Sequence, residues 1–385
     1  MPSLIPEKID NPGTHVFVIG VSAYKHLSGG TEPSENADLL GMKQLSAAAR
    51  SASEFAAWVR DEYHNPSVPL SSLRVLLSPS PGESIHPRIA ELQNDRTTAT
   101  LENVERELVE FRKACDRHPE SIAVVYIAGH GVQLSKHGSI VLLHDCGSDD
   151  HSTLLKGAIN VAGVHAGFNH PETAQTQFWF VDACRQVPYV AVRFEQMEGG
   201  LTLDVRKGGT AGTTALFLGA ATDSPAYGCK NGVTLFNEAL MGGLRGKIAE
   251  SPKKGVSQHW TVTTFELAKQ LPARLEYLAR KHGVEQTVDP AGRLINAVFH
   301  TYQKTPIADL TIALSPMEQA QGCVGCLRNG ALKTVVQGVR DWPMTQRLEA
   351  GIYTIEVVTP GHAYDRAESL GLTPPSLDHT VELVP

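Results

Sequence analysis

The sequence reads as an α/β domain, with a doubly wound, mostly parallel sheet flanked by helices, followed by a small C-terminal all-β sandwich. Three observations predict this. Short, continuously apolar runs alternate with amphipathic helical patterns, and runs buried on both faces mark central parallel strands. Two of those runs stop abruptly at a reactive residue: SIAVVYIAGHG at His130 and TQFWFVDACRQ at Cys184. After about Tyr302 the texture changes to clustered β-formers separated by Gly and Pro, with no helical period.

HVFVIGVSAY, His15 to Tyr24, begins as a buried strand and is expected to turn at Gly20. The stretch Leu39 to Tyr63 carries Leu45, Ala48, Ala52, Phe55, Ala56 and Val59 at helical spacing. SLRVLLS, Ser72 to Ser78, is the next strand, stopped by PSPG. Thr98 to Cys115 reads as a helix with Thr100 as N-cap and Leu101, Val104, Leu108 and Phe111 on one face. The histidine strand follows, then GSIVLLHD, Gly138 to Asp145, then the cysteine strand. Arg185 to Gly212 is polar and glycine-rich and reads as a loop. Thr213 to Thr222 returns as a buried strand, and Leu235 to Leu244 and Phe265 to Lys281 as helices. TIALSP, LKTVVQGV, GIYTIEVVTP and HTVELVP supply the sandwich. The expected boundaries are 1–303 and 304–385, the first divided into 1–184, a linker 185–212, and 213–303.

Composition narrows the function. The chain has 385 residues, 42% of them hydrophobic, and a formal charge of −7. Phosphate binding usually needs a basic surface, so no nucleic-acid partner is expected. No apolar stretch approaches the roughly 18 residues that span a bilayer, and MPSLIPEKIDNPGTH lacks the pattern of a signal peptide. Six cysteines are too few for a disulfide framework, which suits a reducing compartment; the expectation is a cytoplasmic protein with a free thiol.

Ligands of open α/β sheets sit outside the carboxyl ends of the strands. His130 and Cys184 both stand at such ends, and a thiol beside an imidazole is a nucleophile with its base. A free thiol near pKa 8.5 is mostly protonated at neutral pH. His130 would take that proton and later give it to a leaving amine.

These segments resemble the caspase-like cysteine peptidases, the group of caspases, metacaspases and bacterial relatives. The resemblance rests on GVSAY before a helix, the His-Gly of AGHG, the Asp-x-Cys of FVDACRQ, and GAATDSPAYGCKNGVTLFNEAL, covering roughly Val16 to Gly246. Cys184 lies 54 positions after His130 (184 minus 130), and a caspase histidine precedes its cysteine by about 50. The resemblance implies an endopeptidase acting through a thioester on protein or peptide substrates; no cofactor or metal is expected from these residues. The backbone N–H groups of Gly131 and Cys184 are the candidate oxyanion hole. A backbone carbonyl is expected to orient His130.

Asp182 falls two residues before Cys184, on the same side of its strand. Metacaspases carry an acid at that position in a pocket for arginine or lysine, whereas caspases carry glutamine and prefer aspartate. Asp223 falls in the loop that supplies a second acid in basic-specific relatives. Lys230 stands where caspases have an aspartate-binding arginine, which keeps an Asp-specific peptidase open. A capping role for Asp182 stays open too. Arg185 to Gly212 corresponds to the segment between caspase subunits, and Arg193, Arg206 and Lys207 are candidate processing sites for self-cleavage or an upstream protease. A regulatory partner, a zymogen state and a role in regulated proteolysis, cell death or antiphage defence are what the resemblance permits. The competing reading is a catalytically silent scaffold that binds protein partners.

Other signals carry less. His130, His137, His144 and His151 recur at an odd spacing that alternates faces on a strand, so they form no metal row. Cys323 and Cys326 form one CxxC without a second pair, read as a solvent-exposed turn or a chance pair. Asp149 and Asp150 read as an acidic turn rather than a calcium site.

Overall fold

The computed structural model describes residues 11–34, 41–135, 138–148, 155–185, 200–206, 209–221, 224–229, 232–253 and 258–383. The chain divides into two compact units, Met1–Met241 with Thr263–His300, and Gly242–Val262 with Thr301–Pro385. The sequence pattern gives no reason to separate 242–262 from the first domain. They group with the C-terminal unit, where the Tyr302 hydroxyl lies 2.9 and 2.8 Å from the carbonyl oxygens of Gly243 and Ile248.

The first unit holds β1 (Thr14–Val21), α1 (Ala48–Asp61), β2 (Leu70–Ser78), α2 (Pro87–Ala90), α3 (Leu101–Cys115), β3 (Ile122–Gly129), β4 (Gly131–Ser135), β5 (Gly138–Leu142), β6 (Ala158–Asn160), α4 (Val161–Gly167), β7 (Thr176–Ala183), β8 (Thr213–Leu218) and α5, which begins at Leu235 and runs to Gly242. After β9 (Thr261–Thr263) come α6 (Thr264–Lys281), β10 (Asp289–Arg293) and β11 (Val298–Thr301). The main sheet has the order β10-β8-β7-β3-β1-β2. Its β2, β1, β3, β7 and β8 run parallel, and β10 is antiparallel at the edge. β1 and β3 are buried along their whole length, as the apolar runs predict.

Gly20 is not a turn. It stays within β1, paired with Leu77 and Ala128. A Cβ there would stand 2.5 Å from Ala52 Cβ and 2.9 Å from Ala49 Cα, so glycine lets α1 cross the strand closely. α1 is shorter than its apolar pattern, beginning at Ala48. Leu45 lies before it, its N–H donating to Ser22 O at 2.8 Å. α3 starts as expected, with Thr100 Oγ1 accepting from Asn103 N–H at 3.4 Å. β4, β5 and β6 form a small antiparallel sheet beyond His130.

In the second unit, β12 (Ile307–Ser315), β13 (Val324–Asn329), β14 (Thr334–Val339), β15 (Met344–Glu349), β16 (Gly351–Val358), β17 (Arg366–Leu372) and β18 (Ser376–Glu382) form sheets β15-β12-β18 and β14-β13-β16-β17. Ile312, Met344 and Val381 from one sheet share a core with Leu327, Ile355 and Leu372 from the other, which makes a sandwich. Cys323 is fully buried in this core and Cys326 lies on β13, so the CxxC is not an exposed turn. Its buried first residue is a small hydrophobe whose thiol donates to Gln319 O at 3.1 Å. Among the described residues no helix is long and apolar enough to cross a membrane.

Candidate active site

β3 and β7 are neighbours in register, with Gly129 opposite Ala183. The next residue on each chain is His130 and Cys184. Parallel pairing therefore brings the two to adjoining strand ends at the carboxyl edge of the sheet. Gly131 completes the juxtaposition. A Cβ built on it would stand 2.1 Å from the Cys184 carbonyl oxygen and 2.9 Å from Ala183 Cβ. Only a residue without a side chain fits between the two strand ends.

His130 is fixed from two sides. Its backbone N–H donates to the Tyr24 hydroxyl at 2.7 Å, and that hydroxyl donates to Val21 O at 3.1 Å. The Tyr24 and His130 rings stand 4.9 Å apart. Nε2 lies 2.6 Å from the carbonyl oxygen of Lys43. A carbonyl only accepts, so Nε2 carries a proton. Burial lowers the imidazole pKa below its ordinary value, outweighing the Lys43 bond that raises it. The ring is therefore neutral near pH 7, with its single proton on Nε2 and a lone pair on Nδ1. The strap that presents Lys43 is held by Gln44, which accepts from Tyr24 N–H at 2.7 Å and donates to Tyr24 O at 3.0 Å.

Cys184 is half-buried and free. Its Sγ accepts from Ala226 N–H at 3.1 Å and lies 3.6 Å from Ala226 O as a thiol donor. Burial raises the thiol pKa; the Asp182 charge adds to this and the Ala226 N–H opposes it. The resting sulfur is a protonated thiol engaged by the 224–229 segment.

Asp182 is 2% exposed. Oδ2 accepts from Tyr126 Oη at 2.8 Å and from Thr234 Oγ1. Asn237 Nδ2 supports Tyr126 at 3.1 Å. Among the described residues the buried Oδ1 has no hydrogen-bond partner. Burial pushes the carboxyl up to about 6, against the two hydroxyl bonds. Asp223 and Lys230, like Asp149, Asp150, His137 and His151, lie outside the described residues.

Of the processing residues, Arg193 and Lys207 also lie outside the described residues. Arg206 is half-exposed and paired with Asp116 at 2.6 Å. The segment read as one polar loop is docked at both described ends. Arg185 is buried and paired with Asp289 at 2.6 Å, and its N–H donates to Ser224 O at 3.0 Å. Leu201 bridges Ile159, and a Cβ at Gly167 would stand 2.4 Å from Leu203 Cβ. The two leucines are what a count of polar residues overlooks.

Sequence reasoning missed Tyr24, Lys43, Thr234 and Ala226. Lys43 and Ala226 act through backbone atoms, which leave no residue-type signal. Tyr24 sits in the GVSAY turn, where an aromatic with a polar tip after a buried strand is a detectable cue. The family model of the caspase domain matches residues 15–282. No curated protein matches the chain.

Proposed function

This chain belongs to the caspase domain family of cysteine peptidases, and from that premise we propose that it is a cysteine endopeptidase working through Cys184 and His130. The observation that carries this reading is the register of β3 against β7, with Gly129 opposite Ala183, followed on each strand by the histidine and the cysteine. His130 Nδ1 takes the thiol proton as Cys184 Sγ bonds to the substrate carbonyl carbon. The C–N bond then breaks, the proton passes to the departing amine, and a thioester remains. Water, deprotonated by the same nitrogen, cleaves the thioester. The N–H groups of Gly131 and Cys184 hold the oxyanion. Losing one such donor costs roughly 3 kcal/mol of transition-state stabilisation.

The preferred substrates carry Arg or Lys at P1. Asp182 supports this, because among the described residues its buried Oδ1 has no partner, and a guanidinium or ammonium would supply one. Asp223 is the proposed second acid of that pocket. The engaged thiol supports a latent resting state, released by cleavage at Arg193, Arg206 or Lys207 by the enzyme itself or an upstream protease. The test is hydrolysis of fluorogenic peptides differing only at P1, by wild type and Cys184→Ala. Cleavage after Arg or Lys that disappears in the variant supports the reading. Preference for Asp overturns the specificity, and equal rates in both proteins overturn the nucleophile.

A further inference from the structure

Beyond the dyad, the first unit gathers three metal-ligating side chains from three separate elements. Cys229 ends the 224–229 segment, whose Ala226 engages the Cys184 thiol. Glu238 lies in the first turn of α5, and His282 caps the C-terminus of α6. One ligand atom from each, the Cys229 sulfur, a Glu238 carboxylate oxygen and a His282 ring nitrogen, lies within 4.8 Å of the other two. Among the described residues, none of these three side chains is taken by a hydrogen bond or ion pair. The Cys229 backbone is held, since its N–H donates to Val233 O at 3.1 Å and its carbonyl accepts from Gly232 N–H at 2.9 Å. The sulfur is thus presented from a braced position. Glu238 acts on Cys229 electrostatically, and Arg274, bonded to Ala239 O at 2.9 Å, is a cation whose charge it also meets.

We propose that Cys229, Glu238 and His282 form a binding site for a borderline-soft divalent cation of the Zn2+ class, which clamps the 224–229 segment to α5 and α6. A thiolate, a carboxylate and a neutral imidazole are a tetrahedral zinc donor set with one position left for water. The donor charges, −1, −1 and 0, balance a dication. Metal–ligand bonds of about 2.0–2.3 Å place tetrahedral donors roughly 3.3–3.7 Å apart, so closure from the present spacing takes a shift of about 1 Å. On binding, the Cys229 S–H bond breaks, the S–metal bond forms, and the proton goes to solvent. Hard ions with all-oxygen preferences, calcium and magnesium, are excluded by the sulfur and the imidazole. The clamp immobilises the segment that holds the Cys184 thiol on Ala226, so metal binding stabilises the resting arrangement and slows turnover. Only this last effect rests on the peptidase reading.

The test uses the full chain carrying Cys184→Ala, so that the dyad cannot contribute a thiolate. Titration with Co2+ is expected to give one equivalent of binding with a thiolate-to-cobalt charge-transfer band. Adding Cys229→Ser abolishes the band, while His282→Ala and Glu238→Gln each weaken binding at least about tenfold. Adding Cys323→Ser with Cys326→Ser leaves it unchanged. No band on a folded chain, or a band that survives Cys229→Ser, overturns the site. A second arm measures peptidase activity at buffered free Zn2+ in wild type and Cys229→Ser. Greater Zn2+ sensitivity of wild type supports the clamp, and equal sensitivity overturns it. A folded, processed chain that hydrolyses nothing defeats the peptidase reading and leaves the cobalt result standing.

Discussion

The Cys184 carbonyl oxygen lies where a side chain on residue 131 would begin, 2.1 Å from an ideal Cβ on Gly131. Contact that close cannot be relieved by rotating a side chain, because the obstacle is backbone. Gly131→Ala should therefore push the β3 and β7 ends apart and lower kcat/KM by about 100-fold, the size of loss a displacement of about 1 Å can produce. Circular dichroism should stay native. Retained activity in the alanine variant contradicts the close approach.

Tyr24→Phe removes the group that accepts the His130 N–H and donates to Val21 O. A buried donor left unpaired costs about 1–3 kcal/mol. Urea unfolding should show a loss in that range, accompanied by a fall in kcat as His130 loses one of its two anchors. An unchanged midpoint counts against the anchoring role.

The pH profile follows from two shifts. His130 is lowered and Cys184 is raised from their ordinary values, each by burial first. The active form, neutral imidazole with protonated thiol, then spans the interval between them. Activity should persist below pH 6.5, and Cys184 alkylation by iodoacetamide should be slow at neutral pH and climb only in the alkaline range. Fast alkylation of the resting enzyme at pH 6 points instead to a preformed thiolate–imidazolium pair.

Asp182 gives a stability prediction with a definite sign. Its carboxyl is raised from 3.8 to about 6, so the folded state favours the protonated form. The destabilisation is absent below the unfolded value, grows between the two, and is complete above about 6, reaching about 3 kcal/mol. Stability of Asp182→Asn relative to wild type should therefore improve by about that amount between roughly pH 4 and pH 8, measured by urea unfolding. A difference that does not change with pH overturns this assignment. The same variant should lose cleavage after Arg and Lys.

Arg206, a proposed processing site, is paired with Asp116. Asp116→Asn should increase cleavage after Arg206, read by intact mass, and Cys184→Ala should abolish self-cleavage. Fully active enzyme that stays intact removes the loop from the activation scheme.

Much of this was legible in the residues. Strands buried on both faces announce themselves as apolar runs, and a run ended by His or Cys marks a strand tip with chemistry. Less legible was what acts through backbone atoms. The Lys43 carbonyl and the Ala226 amide orient the site, yet any residue supplies either group. Gly20 misled because a glycine at a strand end reads as a turn, while its true constraint is a helix crossing overhead. The docking of Leu201 and Leu203 was hidden inside a polar segment. The Cys229, Glu238 and His282 cluster has no motif spacing, since His282 reaches it from the far end of α6, remote in sequence from Cys229 and from Glu238 on α5.

The most direct test is the mass of the intact protein after exposure to a peptidyl electrophile with Arg at P1. A single adduct, mapped to Cys184, should form in wild type and be lost or slowed at least about 100-fold in His130→Ala. A Cys184 that stays unlabelled in a folded, processed enzyme, or labelling indifferent to His130, contradicts the dyad.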